Sequence, residues 1–211
     1  MELVPPALTV DPGHLGSMKV HLTNSGPDAC EVAVELPQGD RDWSWVHPES
    51  CSVTPGEEVV VAVYFKPRLG PHPTAGPHRV DIVARAAAGS VEGQGTVEVG
   101  PFVDAVGTLH PMVAYDPMGA SYTFDLENRG NVAVSAALST DDPSGDLQVE
   151  VAPPRVSAEP GQTTTATVRV HARKKLKKGE HTYRVCVLAK VDGGSDLRIE
   201  GAFRQQGVKG R

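Results

Sequence analysis

Apolar residues recur at every second position along most of this chain, in short runs. Residues 17–22 place Met18, Val20 and Leu22 on one side, the spacing of a strand with one buried face. Residues 30–36 do the same with Cys30, Val32, Val34 and Leu36, and residues 58–65 with Val59, Val61, Val63 and Phe65. Residues 78–84 and 93–99 complete a first set of predicted strands. A second set follows at 121–126, 132–138, 147–151, 163–171, 182–190 and 196–203. The runs are rich in β-branched residues and are broken by Gly, Pro, Asn and Asp every eight to twelve residues or so, which predicts an antiparallel β-sandwich. No helical period competes over a useful length; brief helical turns are expected only in loops such as that at 174–178.

The pattern also repeats. Leu22-Thr23-Asn24-Ser25-Gly26 returns as Leu126-Glu127-Asn128-Arg129-Gly130, an offset of 104, and Pro55-Gly56 returns as Pro160-Gly161, an offset of 105. The strand after each Pro-Gly and the stretch from Gly76 and Lys178 onward match in the same order. Landmarks at a near-constant offset mean two copies of one unit. The joint falls at Gly100-Pro101-Phe102, giving domains at 1–101 and 102–206, with 207–211 as a flexible tail; residues 103–108 are expected to open the first strand of the second copy. Within each copy Asn and Gly of the Asn-x-Gly turn are expected to take the positive φ of a tight reversal.

Composition narrows the class further. Aromatic residues make up 5% of the chain, so the cores must be built from Val, Ala and Leu. No apolar run approaches a membrane-spanning length. The first residues, Met1-Glu2-Leu3-Val4-Pro5-Pro6, lack the basic and apolar regions of a secretory signal, which predicts a cytoplasmic protein. The net charge of −6 argues against nucleic acid as a partner. It is unevenly spread: residues 1–102 carry 6 basic and 13 acidic side chains, residues 103–211 carry 14 and 13. The odd cysteine set, Cys30, Cys51 and Cys186, does not fit a secreted disulfide scaffold. Cys30 and Cys186 lie in apolar runs and read as small buried hydrophobes, with a Cys30–Cys51 bridge as the alternative.

The turn signatures Leu8-Thr9-Val10-Asp11-Pro12-Gly13, Leu22-Thr23-Asn24-Ser25-Gly26 and Pro55-Gly56 before a Val-rich strand resemble those of bacterial immunoglobulin-like (Ig-like) domains. Among these, the chain is similar to the tandem Ig-like proteins of actinobacteria that often carry the label "hydrolytic protein". The resemblance spans residues 4–206 and implies two tandem immunoglobulin-like antiparallel β-sandwiches in an all-β chain. It also implies a cytoplasmic structural or accessory role, since some relatives are encoded beside phage-tail-like contractile injection systems. Relatives often add a transmembrane segment after the second domain; residues 204–211 here are polar.

Gly89-Ser90-Val91-Glu92-Gly93 lacks the spacing of a nucleophile elbow and reads as a hairpin. No His-Glu-x-x-His, Cys-x-x-Cys or phosphate-binding glycine loop occurs; His72, His78 and His47 read as loop imidazoles. Asp141-Asp142-Pro143-Ser144-Gly145-Asp146 offers clustered carboxylates to calcium, or is simply a turn. No catalytic residue, cofactor or metal is therefore expected, and no small-molecule substrate is identified.

Two segments remain as candidate partner-binding sites. Asp40-Arg41-Asp42-Trp43-Ser44-Trp45 holds both tryptophans. In a regular strand Trp43 and Trp45 share a face, either closing the core or forming an exposed platform for protein or sugar. The alternating run 147–151, at the matching place in the second copy, points at least one ring into the core. The loop with Arg173, Lys174, Lys175, Lys177 and Lys178 is the densest cationic stretch. It suits an acidic partner or, given the acidic first half, head-to-tail self-association. The expected function is a non-enzymatic adaptor or scaffold for protein partners; a carbohydrate-binding module is the alternative, and hydrolysis the least supported.

Overall fold

The computed structural model describes residues 1–37, 42–142 and 145–207. The remaining parts of three sequence features, Asp40-Arg41, Pro143-Ser144 and the tail beyond Gly207, lie outside the described residues. The chain forms two units, Met1–Phe102 and Val103–Arg211. Among the described residues all regular structure is β, and no helix is long and apolar enough to cross a membrane. The turn expected at 174–178 is an irregular loop instead, tied at its two ends through Arg173, the Lys174 carbonyl and the Gly179 carbonyl.

The first unit contains β1 (Glu2–Val4), β2 (Ala7–Val10), β3 (Gly16–Thr23), β4 (Cys30–Glu35), β5 (Ser44–His47), β6 (Ser50–Val53), β7 (Glu58–Phe65), β8 (Gly76–Ala86) and β9 (Gly89–Val99). They form a four-stranded sheet, β1-β3-β7-β5, and a five-stranded sheet, β2-β9-β8-β4-β6. The second unit contains β10 (Ala105–His110), β11 (Val113–Asp116), β12 (Gly119–Asn128), β13 (Val134–Asp141), β14 (Leu147–Ala152), β15 (Arg155–Ala158), β16 (Thr163–Ala172), β17 (Glu180–Val191) and β18 (Leu197–Gln206). Its sheets, β10-β12-β16-β14 and β11-β18-β17-β13-β15, repeat the first order strand for strand. The chain is a tandem pair of Ig-like β-sandwiches.

Register repeats as well. Leu22 faces Val59 across β3 and β7, and Leu126 faces Thr164 across β12 and β16, matching the sequence offsets of 104 and 105. In each unit the first strand leaves one sheet for the other at a proline: β1 pairs antiparallel with β3, and β2 pairs parallel with β9. β10 and β11 make the same exchange with β12 and β18. Proline has no N–H for the ladder, so pairing stops at Pro5 and Pro111 and resumes in the other sheet.

The cores follow the alternation. Met18, Val20, Val61, Val63 and Phe65 meet Ile82 and Val97 with no exposed surface in the first sandwich. Phe124, Leu126, Val168, Val187 and Phe203 do so in the second. The Asn-x-Gly turn, however, works differently from the expectation. Among the described residues no non-glycine residue has positive φ, and neither Gly26 nor Gly130 does. Instead the Asn carboxamide ties the turn. Asn128 Nδ2 donates to Val132 O (2.8 Å) and Ala158 O (2.9 Å), and Gly130 N–H donates to Asn128 Oδ1 (2.9 Å). Asn24 makes the same three bonds with Asp28, Val53 and Gly26. The Pro-Gly turn does use positive φ, 75° at Gly56 and 73° at Gly161, and each of those glycine amides donates to the backbone carbonyl of the Asn.

Candidate functional site

The two tryptophans part company. Trp43 precedes β5 and is buried, its ring 5.9 Å from Phe65 and edge-on to His78 at 5.7 Å. Trp45 is 45% exposed. The shared face expected from regular alternation fails because β5 starts only at Ser44: inside it Trp45 and His47 point outward, and Trp43, in the preceding turn, swings inward.

Trp45 belongs to an apolar patch on the outer face of the four-stranded sheet. It faces Tyr64 across β5 and β7 and stacks on it, centroids 5.5 Å apart at 22°. Down the same side of β7 come Ala62 and Val60, the latter 43% exposed. Ala62 is followed across the sheet by Lys19 and Val4, and Val4 is 42% exposed. Lys19 stands within the patch between Ala62 and Val4, and His47, Glu2, and His21 joined to Glu58 at 2.6 Å border it. A strand that is apolar on both faces normally lies between two covered layers, yet one face of β7 is open.

The second copy supplies an internal comparison. Its register puts Glu150 opposite Arg169 where the first has Trp45 opposite Tyr64. Thr167 and Thr165 replace Ala62 and Val60, and His110 replaces Val4. The same fold therefore has an ordinary solvated outer face in one copy and an aromatic one in the other. Nothing in the architecture demands the apolar choice.

The cationic loop joins β16 to β17 and is held at its base. Arg173 Nε donates to Leu147 O (3.0 Å) and its amide to Asp146 O (2.9 Å). Gln205, almost fully buried, donates to Lys174 O and Pro117 O, both at 2.9 Å, and accepts from Tyr183 Oη (3.1 Å). Gly207 N–H closes the far end on Gly179 O (2.8 Å). Lys174, Lys175, Lys177 and Lys178 are exposed, and among the described residues none of the four is in an ion pair. The tryptophan patch and the lysine loop thus lie on different units. Sequence reasoning named Trp45 and the lysines but missed Tyr64, Val60 and Val4; the unbroken apolar run of β7 was the signal that pointed to them.

Asp141 reaches Arg198 (3.5 Å), and Asp142 Oδ2 accepts from Leu147 N–H (2.9 Å), so both carboxylates have structural partners. Among the described residues no group of three or more His, Cys, Asp or Glu is placed to hold a metal. Ser90 is the second residue of β9, opposite Arg85. All three cysteines are free thiols: Cys30 faces Val53 and Cys51 faces Val32, so the two are diagonal neighbours rather than a bridge. Burial, then Glu31 and Cys30, pushes the Cys51 thiol up. Cys186 is buried, but not in the inter-sheet core. It lies on the outer side of its sheet with Arg184, opposite Glu200 and Asp141. The Arg184–Glu200–Arg198 ion-pair lattice surrounds it, and burial is the leading reason that its thiol is raised.

No protein-family model matches the chain, and no curated protein matches its sequence. Among solved structures it is similar to the D00-D0 domain of intimin, with 13% identity over 91% of this chain and 93% of that one, TM-score 0.42. It is also similar to SSP-19, an MSP-domain protein like family member of Caenorhabditis elegans, with 16% identity over 46% of this chain and 99% of that one, TM-score 0.36. The YadV chaperone gives 11% identity, 96% and 98% coverage and a TM-score of 0.35. The Ig-like assignment rests on the strand order and register given above.

Proposed function

We propose that this chain is a non-enzymatic interaction module that holds a protein partner on the Trp45 face of its first sandwich, with the lysine loop of the second as an accessory contact for acidic groups. The observation that carries this reading is the contrast between copies: Trp45–Tyr64–Ala62–Val60 stands where the second copy has Glu150–Arg169–Thr167–Thr165. Exposed aromatic residues next to a polar rim are the composition of protein-binding hot spots. The cationic loop steers rather than anchors, because exposed charges act mainly on encounter rate and are screened by salt.

The test is capture from the native cell extract on the full chain, compared with Trp45→Ala, Tyr64→Ala and a variant with Glu at Lys174, Lys175, Lys177 and Lys178. A partner retained by the parent is lost with either aromatic variant, and its retention becomes weaker and less salt-dependent with the lysine variant. Retention unchanged by both aromatic changes would refute the reading. The stacked Trp45–Tyr64 pair also favours a second reading, a carbohydrate platform; a glycan array with the same variants separates the two. The cytoplasmic location and an accessory role beside a contractile injection apparatus are part of the proposal. They are supported by the resemblance of the turn motifs, and cell fractionation and co-purification with sheath or tube proteins test them.

A further inference from the structure

The five-stranded sheets of the two sandwiches share strand order and pairing, so each outward position on one has a counterpart on the other. Read pair by pair, the two outer faces have opposite charge. Glu92 faces Val83 across β9 and β8, where the second copy has Arg198 facing Leu188 across β18 and β17. Glu98 faces Pro77, where the second copy has Arg204 facing Thr182. Two neutral exchanges run the same way. Glu35 of β4 is replaced by Ser139 of β13, and Ser50 of β6 by Arg155 of β15.

Ion pairs within each sheet show what is left over. On the first face Arg79 pairs with Asp81 and Arg85 with Glu35. Glu31, Glu92 and Glu98 remain, an excess of three negative charges on the strands, and among the described residues none of them is in an ion pair. On the second face Arg184, Arg198 and Arg204 engage Glu200, Asp141 and Glu180. Lys190 and Arg155 remain, side by side across Ala137, an excess of two positive charges on the strands. Arg155 meets Asp192, which lies just past the end of β17. Two first faces brought together would repel, and so would two second faces; only a first face against a second attracts. The shared strand order gives both the same twist, and sheets of one twist lie face to face at a small angle.

We infer that the chain self-associates head to tail, the outer face of the five-stranded sheet in one molecule's first sandwich docking on the equivalent face of another molecule's second sandwich. Five strands of about seven residues make a face of about 24 by 23 Å at the usual strand spacing and rise, so the two faces together cover about 1,100 Å². That is the size of a weak, reversible contact. Attraction between exposed charges makes it steeply dependent on salt. The Trp45 face belongs to the other sheet of the first sandwich and takes no part.

Sedimentation equilibrium of the full chain, from about 5 to about 200 μM as suits a contact of this size, is the test. The average mass is expected to rise with concentration in about 50 mM NaCl, and the association to weaken at least tenfold in about 500 mM. One variant combines Glu92→Arg with Glu98→Arg, the residue type that the second copy holds at the same places. Another combines Lys190→Glu with Arg155→Glu; all four positions are exposed. Each variant alone is expected to associate at least tenfold more weakly than the parent. An equimolar mixture of the two is expected to form a one-to-one dimer of parent strength, because the first retains an intact second sandwich and the other an intact first. Trp45→Ala is expected to associate as the parent does, so loss of a captured partner in that variant and loss of self-association are separate results. A parent that stays monomeric, association indifferent to salt or to both charge variants, or a mixture that stays monomeric overturns the inference. So does association that Trp45→Ala abolishes, which would assign it to the aromatic face.

Discussion

Replacing Asn128 with Ala tests the turn brace directly. The side chain has no exposed surface, and it satisfies two carbonyls and one amide, each within 2.9 Å. A net hydrogen bond contributes about 1 kcal/mol, and a buried group left without a partner costs about 1–3 kcal/mol. Gly130 N–H keeps Asp104 O as a second acceptor, so the loss falls mainly on the carbonyls of Val132 and Ala158. The sum is about 3–5 kcal/mol, a large share of the 5–15 kcal/mol or so that holds a domain together. Asn24→Ala removes the same bonds, but Asp28 and Gly26 are exposed, water replaces the partners, and the cost is about 1–2 kcal/mol. Urea unfolding of the full chain measures both. The two tryptophans lie in the first sandwich and report Asn24→Ala by fluorescence; amide exchange in β12 and β16 reports Asn128→Ala. Asn128→Asp keeps an acceptor but points a carboxylate at two carbonyls, so it is expected to be at least as damaging as Ala. An Asn24 effect equal to or larger than the Asn128 effect would refute the reasoning, because the difference rests entirely on burial.

Three further outcomes follow from the same geometry. Trp43→Ala is expected to cost about 3–5 kcal/mol, as for other buried aromatics, and Trp45→Ala no more than about 1 kcal/mol, the value of one exposed aromatic pair; urea midpoints of the two variants decide this. Tyr122 is buried, and burial pushes its phenol up to about 12, against a hydrogen bond from Ala114 that lowers it. The folded state therefore holds the proton more tightly than the unfolded one. The stabilisation is complete below pH 10 or so, and about 2–3 kcal/mol is lost as pH rises from there toward 12. Urea midpoints of parent and Tyr122→Phe across that range show whether the slope disappears with the hydroxyl. Gly56→Ala and Gly161→Ala meet no neighbouring atom at Gly56, but force φ near 75° and 73° on a residue with a Cβ. Each is expected to lower stability by about 1–2 kcal/mol, measured by thermal melting.

How far the sequence could be read depended on strand length and on burial of both faces. The central strands announce themselves: Met18, Val20 and Leu22, or Val61, Val63 and Phe65, alternate because one face is buried. The edges do not. β1, β2, β6, β11 and β15 hold three or four residues each, too few for a period, and prolines such as Pro5 and Pro111 interrupt them where they change sheets. Their pairing is imposed by the neighbouring strand rather than by their own pattern. Cys186 is buried, as its apolar run implied, but its pattern could not say on which face of the sheet. In Arg184-Val185-Cys186-Val187-Leu188 both faces are largely buried, one by the core and the other by arginine and glutamate side chains, so apolar character no longer tells inside from outside.

The Trp45 patch shows the converse. Its signal, the run Val59-Val60-Val61-Ala62-Val63-Tyr64-Phe65, was visible, but a run that is apolar on both faces fits a fully covered strand as well as an exposed patch. Only the register against β5 and β3 turns Val60, Ala62 and Tyr64 outward together with Trp45 and Val4. Only the second copy, with Glu150, Arg169, His110 and two threonines on the equivalent face, shows that folding does not require them. Duplication gives each surface position a reference with the same backbone and a separate history of substitution. Where the copies agree, as at the Asn brace and the Pro-Gly turn, the residue serves the fold. Where they disagree in polarity on an exposed face, the difference is free to serve binding.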